Sequence, residues 1–462
     1  MTCRSHTCNR MICEVGHIAS RDLVSEENMP IGLYSLLTEP DPFVARAAAE
    51  AAYELIYEHE RFESAALKPF IQTAAVHPHW WVRYWSAQNV WRFASFRLIN
   101  RLLSDPCGAV AAATASFLSD EDFPSHSAAL KLCYALSQKS PHNAVYVGMV
   151  FQRAGKYWRN PNLASKLCRV LLSSNQHLRV KEEIENRIKI ARTLSKSRLL
   201  EMSAEELLLW LYVGEASVLS VSQLSWIVRE HPDPIARQVA LESMSFHLLQ
   251  GEDCEQVWLT LAQAMQDENP SVRLSAAKSV SFLDEENYPY LIEPLMRLTH
   301  DPCLRIVQVA IRSMRGCCDI ASEMHNPVVV NRLLALLTHP DPLVRINTLY
   351  TLQDYPLAPP KVVKVVQDLW AKEGQPMVRT AIAEALWWLM PLKDWLPVYG
   401  VALVNSGRKD WRHLAKSLFR MSELQEAVEA VDLLQPSAAK HFFRRLLKTH
   451  IVNSVRNTLS KS

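Results

Sequence analysis

The sequence predicts an all-α chain, an α-α superhelix (α-solenoid) of stacked antiparallel helix pairs. The first observation behind this is a returning phrase: a Pro-containing acidic turn, an apolar residue, an Arg, then small residues. It reads Glu39-Pro40-Asp41-Pro42-Phe43-Val44-Ala45-Arg46, His231-Pro232-Asp233-Pro234-Ile235-Ala236-Arg237, Asn269-Pro270-Ser271-Val272-Arg273, Asp301-Pro302-Cys303-Leu304-Arg305, His339-Pro340-Asp341-Pro342-Leu343-Val344-Arg345 and Gln375-Pro376-Met377-Val378-Arg379. The second is spacing. From Arg46 through Arg83, Val110, Arg237, Arg273, Arg305, Arg345 and Arg379, most steps are roughly 27 to 40 residues, two helices and two turns. The third is composition: 49% apolar, 21% charged and only 11 Gly in 462 residues, which suits packed helices better than disorder or a turn-rich β fold. Units this small cannot bury an apolar face alone and must stack on neighbours.

Residues 1–28 form a leader expected to be disordered. Cys3, His6, Cys8, Cys13 and His17 gather there, but without the close Cys-x2-Cys pair that anchors zinc, so no metal site is assigned. Met29, directly before the first solenoid helix, is an alternative start. Residues 29–125 hold the first repeats. Pro at the first helical position loses no hydrogen bond, and the Asp or Asn before it can cap the helix. Ala45, Ala48, Ala49 and Ala52 then recur at helical spacing, so a neighbouring helix can come close. Residues 126–220 read as diverged repeats, with degenerate phrases at Ser140-Pro141-His142 and Asn175-Gln176-His177-Leu178-Arg179. Residues 221–436 carry the clearest repeats, where helices over Leu291–Leu298 and Val330–Leu337 lead into Pro turns. Residues 437–462 hold Lys440, Arg444, Arg445, Lys448, Arg456 and Lys461 and no acid. Phe442, Phe443, Leu446, Leu447, Ile451 and Val455 recur there at three and four residues, the pattern of a basic amphipathic helix capping the last repeat.

The Asp-Pro-x-Val-Arg phrase with its Ala-rich helix resembles the HEAT repeat, specifically the short HEAT-like repeats also found in phycobilin lyase subunits, over about residues 30–435. The resemblance implies that second helices line a concave side. It also implies that each Arg pairs with the turn Asp of an adjacent repeat, setting Arg46, Arg237, Arg273, Arg305, Arg345 and Arg379 in a ladder with Asp41, Asp233, Asp301 and Asp341. It implies a fold and no activity.

A net charge of +2 gives no global attraction to polyanions. No run of about 18 uncharged apolar residues suggests a membrane span, and the ten scattered Cys form no disulfide framework, so a reducing cytoplasmic setting is expected. There is no Gly-rich phosphate loop, Gly-x-Ser-x-Gly or His-Glu-x-x-His. The di-iron hydroxylases of HEAT type have repeated His-Glu pairs, whereas only His59-Glu60 occurs here. His231, His300 and His339 recur in turns one helix-packing distance apart, about 8 to 10 Å, too far to share an ion, and read as turn residues. No cofactor and no enzymatic activity are expected.

The expected function is a non-catalytic scaffold or adaptor that holds another protein along its concave face. Trp80, Arg83 and Trp91 are the first anchors, because His77 to Trp85 contains more aromatic surface than one helix pair buries. Trp387, Trp388 and Arg412 are the second set, although Trp81, Trp85 and Trp388 also read as packing residues. Lys440, Arg444, Arg445 and Lys448 add a basic face. The alternative is nucleic-acid binding, with DNA-glycosylase-like chemistry as its extreme form, through the Trp-rich repeat and the basic helix. Peripheral membrane attachment through residues 437–462 ranks below both.

Overall fold

The computed structural model describes residues 5–25, 28–57, 62–90, 96–103, 105–117, 193–211, 219–249, 254–280, 289–314, 327–353 and 360–459. Trp91, His59-Glu60 and most of the diverged segment 126–220 lie outside these residues. The described residues contain helices and turns and no strand, and they divide into two compact units, Met1–Ser313 and Met314–Ser462.

The first unit contains α1 (Ser5–Val24), α2 (Ile31–Leu36), α3 (Pro42–Tyr57), α4 (Leu67–Ala74), α5 (Trp80–Asn89), α6 (Phe96–Leu103) and α7 (Gly108–Phe117). It continues with α8 (Lys196–Glu201), α9 (Ala204–Leu211), α10 (Val221–Glu230), α11 (Pro234–Leu249), α12 (Cys254–Ala264), α13 (Pro270–Val280), α14 (Pro289–Leu298) and α15 (Leu304–Ser313). First helices of the pairs stack in one row, α8 on α10 on α12 on α14, and second helices in another, α11 on α13 on α15. This is the stacked antiparallel-pair superhelix. Small residues make it compact: Ala45, Ala48, Ala49 and Ala52 of α3 and Ala276 and Ala277 of α13 are fully buried.

The leader is a helix rather than a disordered segment. Ile12, Val15, Ala19 and Leu23 repeat at three and four residues and are all buried. Asp22 Oδ2 accepts the Leu33 N–H at 2.8 Å and so ties α1 to α2. α1 lies between α3 and α15. Gly16 permits this approach, because a Cβ there would meet the Arg305 backbone nitrogen at 2.6 Å. The second-row packing therefore closes on itself: α1 on α3, α5, α7, α9, α11, α13, α15 and back to α1.

A shared turn spaces the repeats. Its first residue accepts the N–H two positions on: Asp105 from Cys107, Asp267 from Asn269, Asp301 from Cys303, and Glu373 from Gln375. A ladder Arg stands six residues after the first position of its own turn and reaches the acid of the next. Arg83 donates to Asp105 at 2.7 and 2.9 Å. Arg237 donates to Asp267 at 2.9 Å, Arg273 to Asp301 at 2.8 and 3.1 Å, and Arg345 to Glu373 at 3.0 and 3.3 Å. Each Arg also donates to a carbonyl of its own turn: His77, His231, Asp267 and His339. One guanidinium thus binds two successive turns.

His replaces the acid where the preceding repeat lacks the Arg. Six residues after Glu39 stands Ala45, and the next turn begins with His77. Its Nδ1 accepts the His79 N–H at 3.1 Å, so the proton sits on Nε2, which donates to the Glu39 carbonyl at 2.9 Å. The imidazole spans the gap that Arg and acid span elsewhere. His231 repeats this with Asp233 N–H at 3.0 Å and the Met202 carbonyl at 2.9 Å, after a helix with Leu207 and Leu208 and no Arg at this place. His300 is exposed and sits one residue before Asp301, outside the pattern.

The expected ladder is corrected in several places. Arg46 and Arg305 stand seven and four residues after the first residues of their turns, Glu39 and Asp301, rather than six, and neither pairs with a turn Asp. Asp41, Asp233 and Asp341 cap their own helices, accepting from Phe43 N–H at 2.9 Å, Ile235 N–H at 2.9 Å and Val344 N–H at 3.0 Å. Of the four proposed acids only Asp301 receives a ladder Arg, from the preceding repeat.

The second unit contains α16 (Pro327–Leu336), α17 (Pro342–Gln353), α18 (Pro360–Lys372), α19 (Pro376–Leu389), α20 (Leu392–Trp395), α21 (Val401–Asn405), α22 (Lys409–Met421), α23 (Leu424–Leu433) and α24 (Ala438–Leu459). A π-helical turn, Leu396–Gly400, joins α20 to α21. Trp395 is wholly buried and donates its indole N–H to the Ala383 carbonyl at 2.8 Å.

Candidate partner-binding surface

Side chains that build the stack and side chains that remain available separate clearly. In the first unit, α3 carries Arg46, Glu50 and Glu54 at successive turns of one face. Arg46 donates to Glu50 and to Glu242 of α11, each at 2.9 Å, and lies 3.7 Å from the Trp81 ring centroid. Lys278 of α13 pairs with Glu50. Glu54 meets Arg305, Arg312 at 2.9 Å and Lys278 at 3.6 Å. Burial alone would raise the Glu50 carboxyl, but Lys278 and Arg46 hold it down at about 2. Burial likewise opposes ionisation of Glu54, yet Arg305, Arg312 and Lys278 hold it well below the usual carboxylate range. This network joins α3 to α11, α13 and α15, so the second-row face that could receive a partner is occupied here by the protein's own helix.

Of the first anchor set, Trp91 lies outside the described residues and the other two are partly or wholly committed. Arg83 is fixed by Asp105, Trp81 and Trp85 are buried, and Trp80 is half-buried with its ring 5.4 Å from Trp81 at 66°. The second set differs. Trp388 is 53% exposed rather than packed, edge-on to the half-buried Trp387 with centroids 4.7 Å apart. Arg379 occupies the ladder position after Glu373, but the next turn offers no acid at its first position. That position belongs to Ser406, whose hydroxyl accepts the Arg408 N–H at 3.3 Å, and the Arg379 guanidinium stacks instead 4.6 Å from Trp370 and 5.9 Å from Trp411. The ladder ends there.

Beyond that end a cleft of about 350 Å³ opens between the α21–α22 turn, α22 and α24. Gly407, at φ +77°, reverses the chain between α21 and α22. Phe443 faces inward, packed 5.2 Å from Phe419, which turns Phe442 and Arg445 outward. Val404, Asn405, Arg412, Ala438, His441, Phe442 and Arg445 line the cleft with Gly407. Of the expected basic face, Arg444, Arg445 and Lys448 are exposed, as is Arg412 of the second anchor set. Lys440 is not available in the same way, because its ammonium donates to the carbonyls of Asp432 and Leu434 and closes the end of α23. The side chains of Arg456 and Lys461 lie outside the described residues. Sequence reasoning set Phe442 in the apolar pattern of the last helix and missed His441, Asn405 and Gly407; the Asn-Ser-Gly run at 405–407 was the available signal, a helix C-terminal turn. Among the described residues no group of His, Cys, Asp and Glu could hold a metal ion, and no helix is long and apolar enough to cross a membrane.

Residues 308–387 match the family model for HEAT repeats. Residues 308–387 are HEAT repeats. No curated protein matches it in sequence. Among solved structures, it is similar to Kap121p bound to Pho4p, at 14% identity and TM-score 0.36, over 92% of this chain and 50% of that one. Kap121p bound to Nup53p matches at 13% identity and TM-score 0.35, over 98% and 55% of the two chains. An engineered protein matches at 13% identity and TM-score 0.38, over 91% and 97%. The chain thus spans about half the length of the Kap121p chains.

Proposed function

We propose that this HEAT-repeat protein is a scaffold that holds another protein, and that the holding surface belongs to the second unit rather than to the inner face of the first. The observation that carries the reading is the contrast in commitment. Arg83, Arg237, Arg273 and Arg345 are each bound to an acid, whereas Arg412 and Arg445 line a cleft with no acidic partner among the described residues. An exposed Trp on the same unit, Trp388, adds the kind of side chain that dominates protein interfaces. The test is capture from nuclease-treated native extract with the tagged full chain. A stoichiometric protein that survives moderate salt and is lost on Trp388→Ala with Arg412→Ala supports the reading. Recovery of nucleic acid alone, or of proteins that vanish with nuclease, refutes it in favour of phosphate binding.

A further inference from the structure

We propose that the cleft between α21, α22 and α24 docks an acidic peptide segment that carries an aromatic or aliphatic residue beside its carboxylates. This rests on the scaffold reading and supplies the chemistry of the ligand. The cleft combines two kinds of wall. Arg412 and Arg445 bring guanidiniums from different helices and His441 an imidazole, while Val404 and Phe442 give apolar surface. A guanidinium fork fits a carboxylate bidentately, as the ladder rungs show within this same protein. Here the forks are present and the acids are missing.

The volume, about 350 Å³, suits a few side chains. It does not suit a long polyanion, and neither do the surroundings. α23 packs against α24 and exposes Glu423, Glu429 and Asp432, which would repel an extended phosphate backbone but leave a short acidic segment room in the cleft. Arg83, Arg237, Arg273 and Arg345 each meet an acid of the next turn, and a partner's acid takes that role for Arg412 and Arg445.

The experiment is selection from a random peptide display library on the immobilised full chain, followed by titration of the selected peptides. Expected is enrichment of peptides with paired acidic residues flanking Phe, Leu or Trp. Their affinity should fall about tenfold or more on Arg412→Ala with Arg445→Ala, with an unchanged melting curve because both side chains are exposed. Arg412→Glu with Arg445→Glu should turn the selection toward basic peptides. Enrichment of neutral or basic peptides by the native chain, enrichment indifferent to the two Arg, or no enrichment would overturn the inference. So would a duplex oligonucleotide that displaces the selected peptides with steep salt dependence. A protein partner retained by the double Arg variant but lost on Trp388→Ala would leave the scaffold reading standing and remove this one.

Discussion

Exchanging one kind of rung for the other tests the stacking logic directly. His77 is 5% exposed, and its imidazole links the His79 N–H to the Glu39 carbonyl. In His77→Asp the carboxylate can still accept the His79 N–H, as Asp267 accepts that of Asn269, but the Glu39 carbonyl loses its donor. The Glu39 carbonyl is part-buried, so leaving it without a partner costs up to about 1–3 kcal/mol, and a carboxylate with no cation beside it adds to this. The expected loss is about 2–4 kcal/mol, roughly 3–6 °C in melting temperature for a unit the size of Met1–Ser313. Ala45 stands where the other repeats carry the ladder Arg, so Ala45→Arg should restore the guanidinium bridge when combined with His77→Asp. Alone, it should destabilise, because the added side chain meets His77. The double-mutant cycle, read by urea unfolding followed through first-unit fluorescence, should give a favourable coupling of about 2 kcal/mol. Additivity within about 0.5 kcal/mol would refute the idea that Arg with acid and Ala with His are alternative solutions to one gap.

Three further outcomes follow from the packing. Glu54→Gln removes the carboxylate that faces Arg305, Arg312 and Lys278 and should cost about 3–5 kcal/mol by denaturant unfolding. Because Glu50 and Glu54 titrate low when folded, their stabilisation is complete above the ordinary carboxylate range near pH 4 and is lost as pH falls toward 2; the native melting temperature should drop over that window, and less so in the Glu54→Gln chain. Gly16→Val should destabilise by about 1–3 kcal/mol through its clash with the Arg305 backbone, measured by thermal melting. Trp395→Ala should cost about 3–5 kcal/mol, whereas Trp388→Ala should leave stability within about 0.5 kcal/mol, both measured by calorimetry.

The fold was legible in advance because repeat after repeat announces its turn with Pro and an acid and its second helix with small residues. Register was harder. Arg46 follows the same kind of turn as Arg345, yet it stands one residue later, and at 3.6 residues per turn one position rotates a side chain by about 100°. That rotation moves Arg46 out of the ladder and onto Trp81. The His positions were legible as turn residues, but their reason lies in the residue that the previous repeat does not have. The buried network of Glu50 and Glu54 was not legible, since its pairs are 228 and 251 residues apart in the chain, and only folding brings them together. At the cleft the basic residues were visible in advance. What concentrates two of them was not: Gly407 turns the chain back, and Phe443 anchors α24 so that Arg445 lines the same cleft as Arg412.

A linear stack of repeats has two ends, and each end can fray by breaking one interface. In the first unit α1 sits between α3 and α15, so the second row has no such end. Removing any member must break contacts on both sides at once, which raises the cost of the first step of unfolding and lowers the cost of those that follow. The amino-terminal helix α1 is therefore expected to set whether the unit Met1–Ser313 opens gradually or all together, and amide exchange along α3 and α15 should become fast together once α1 is removed.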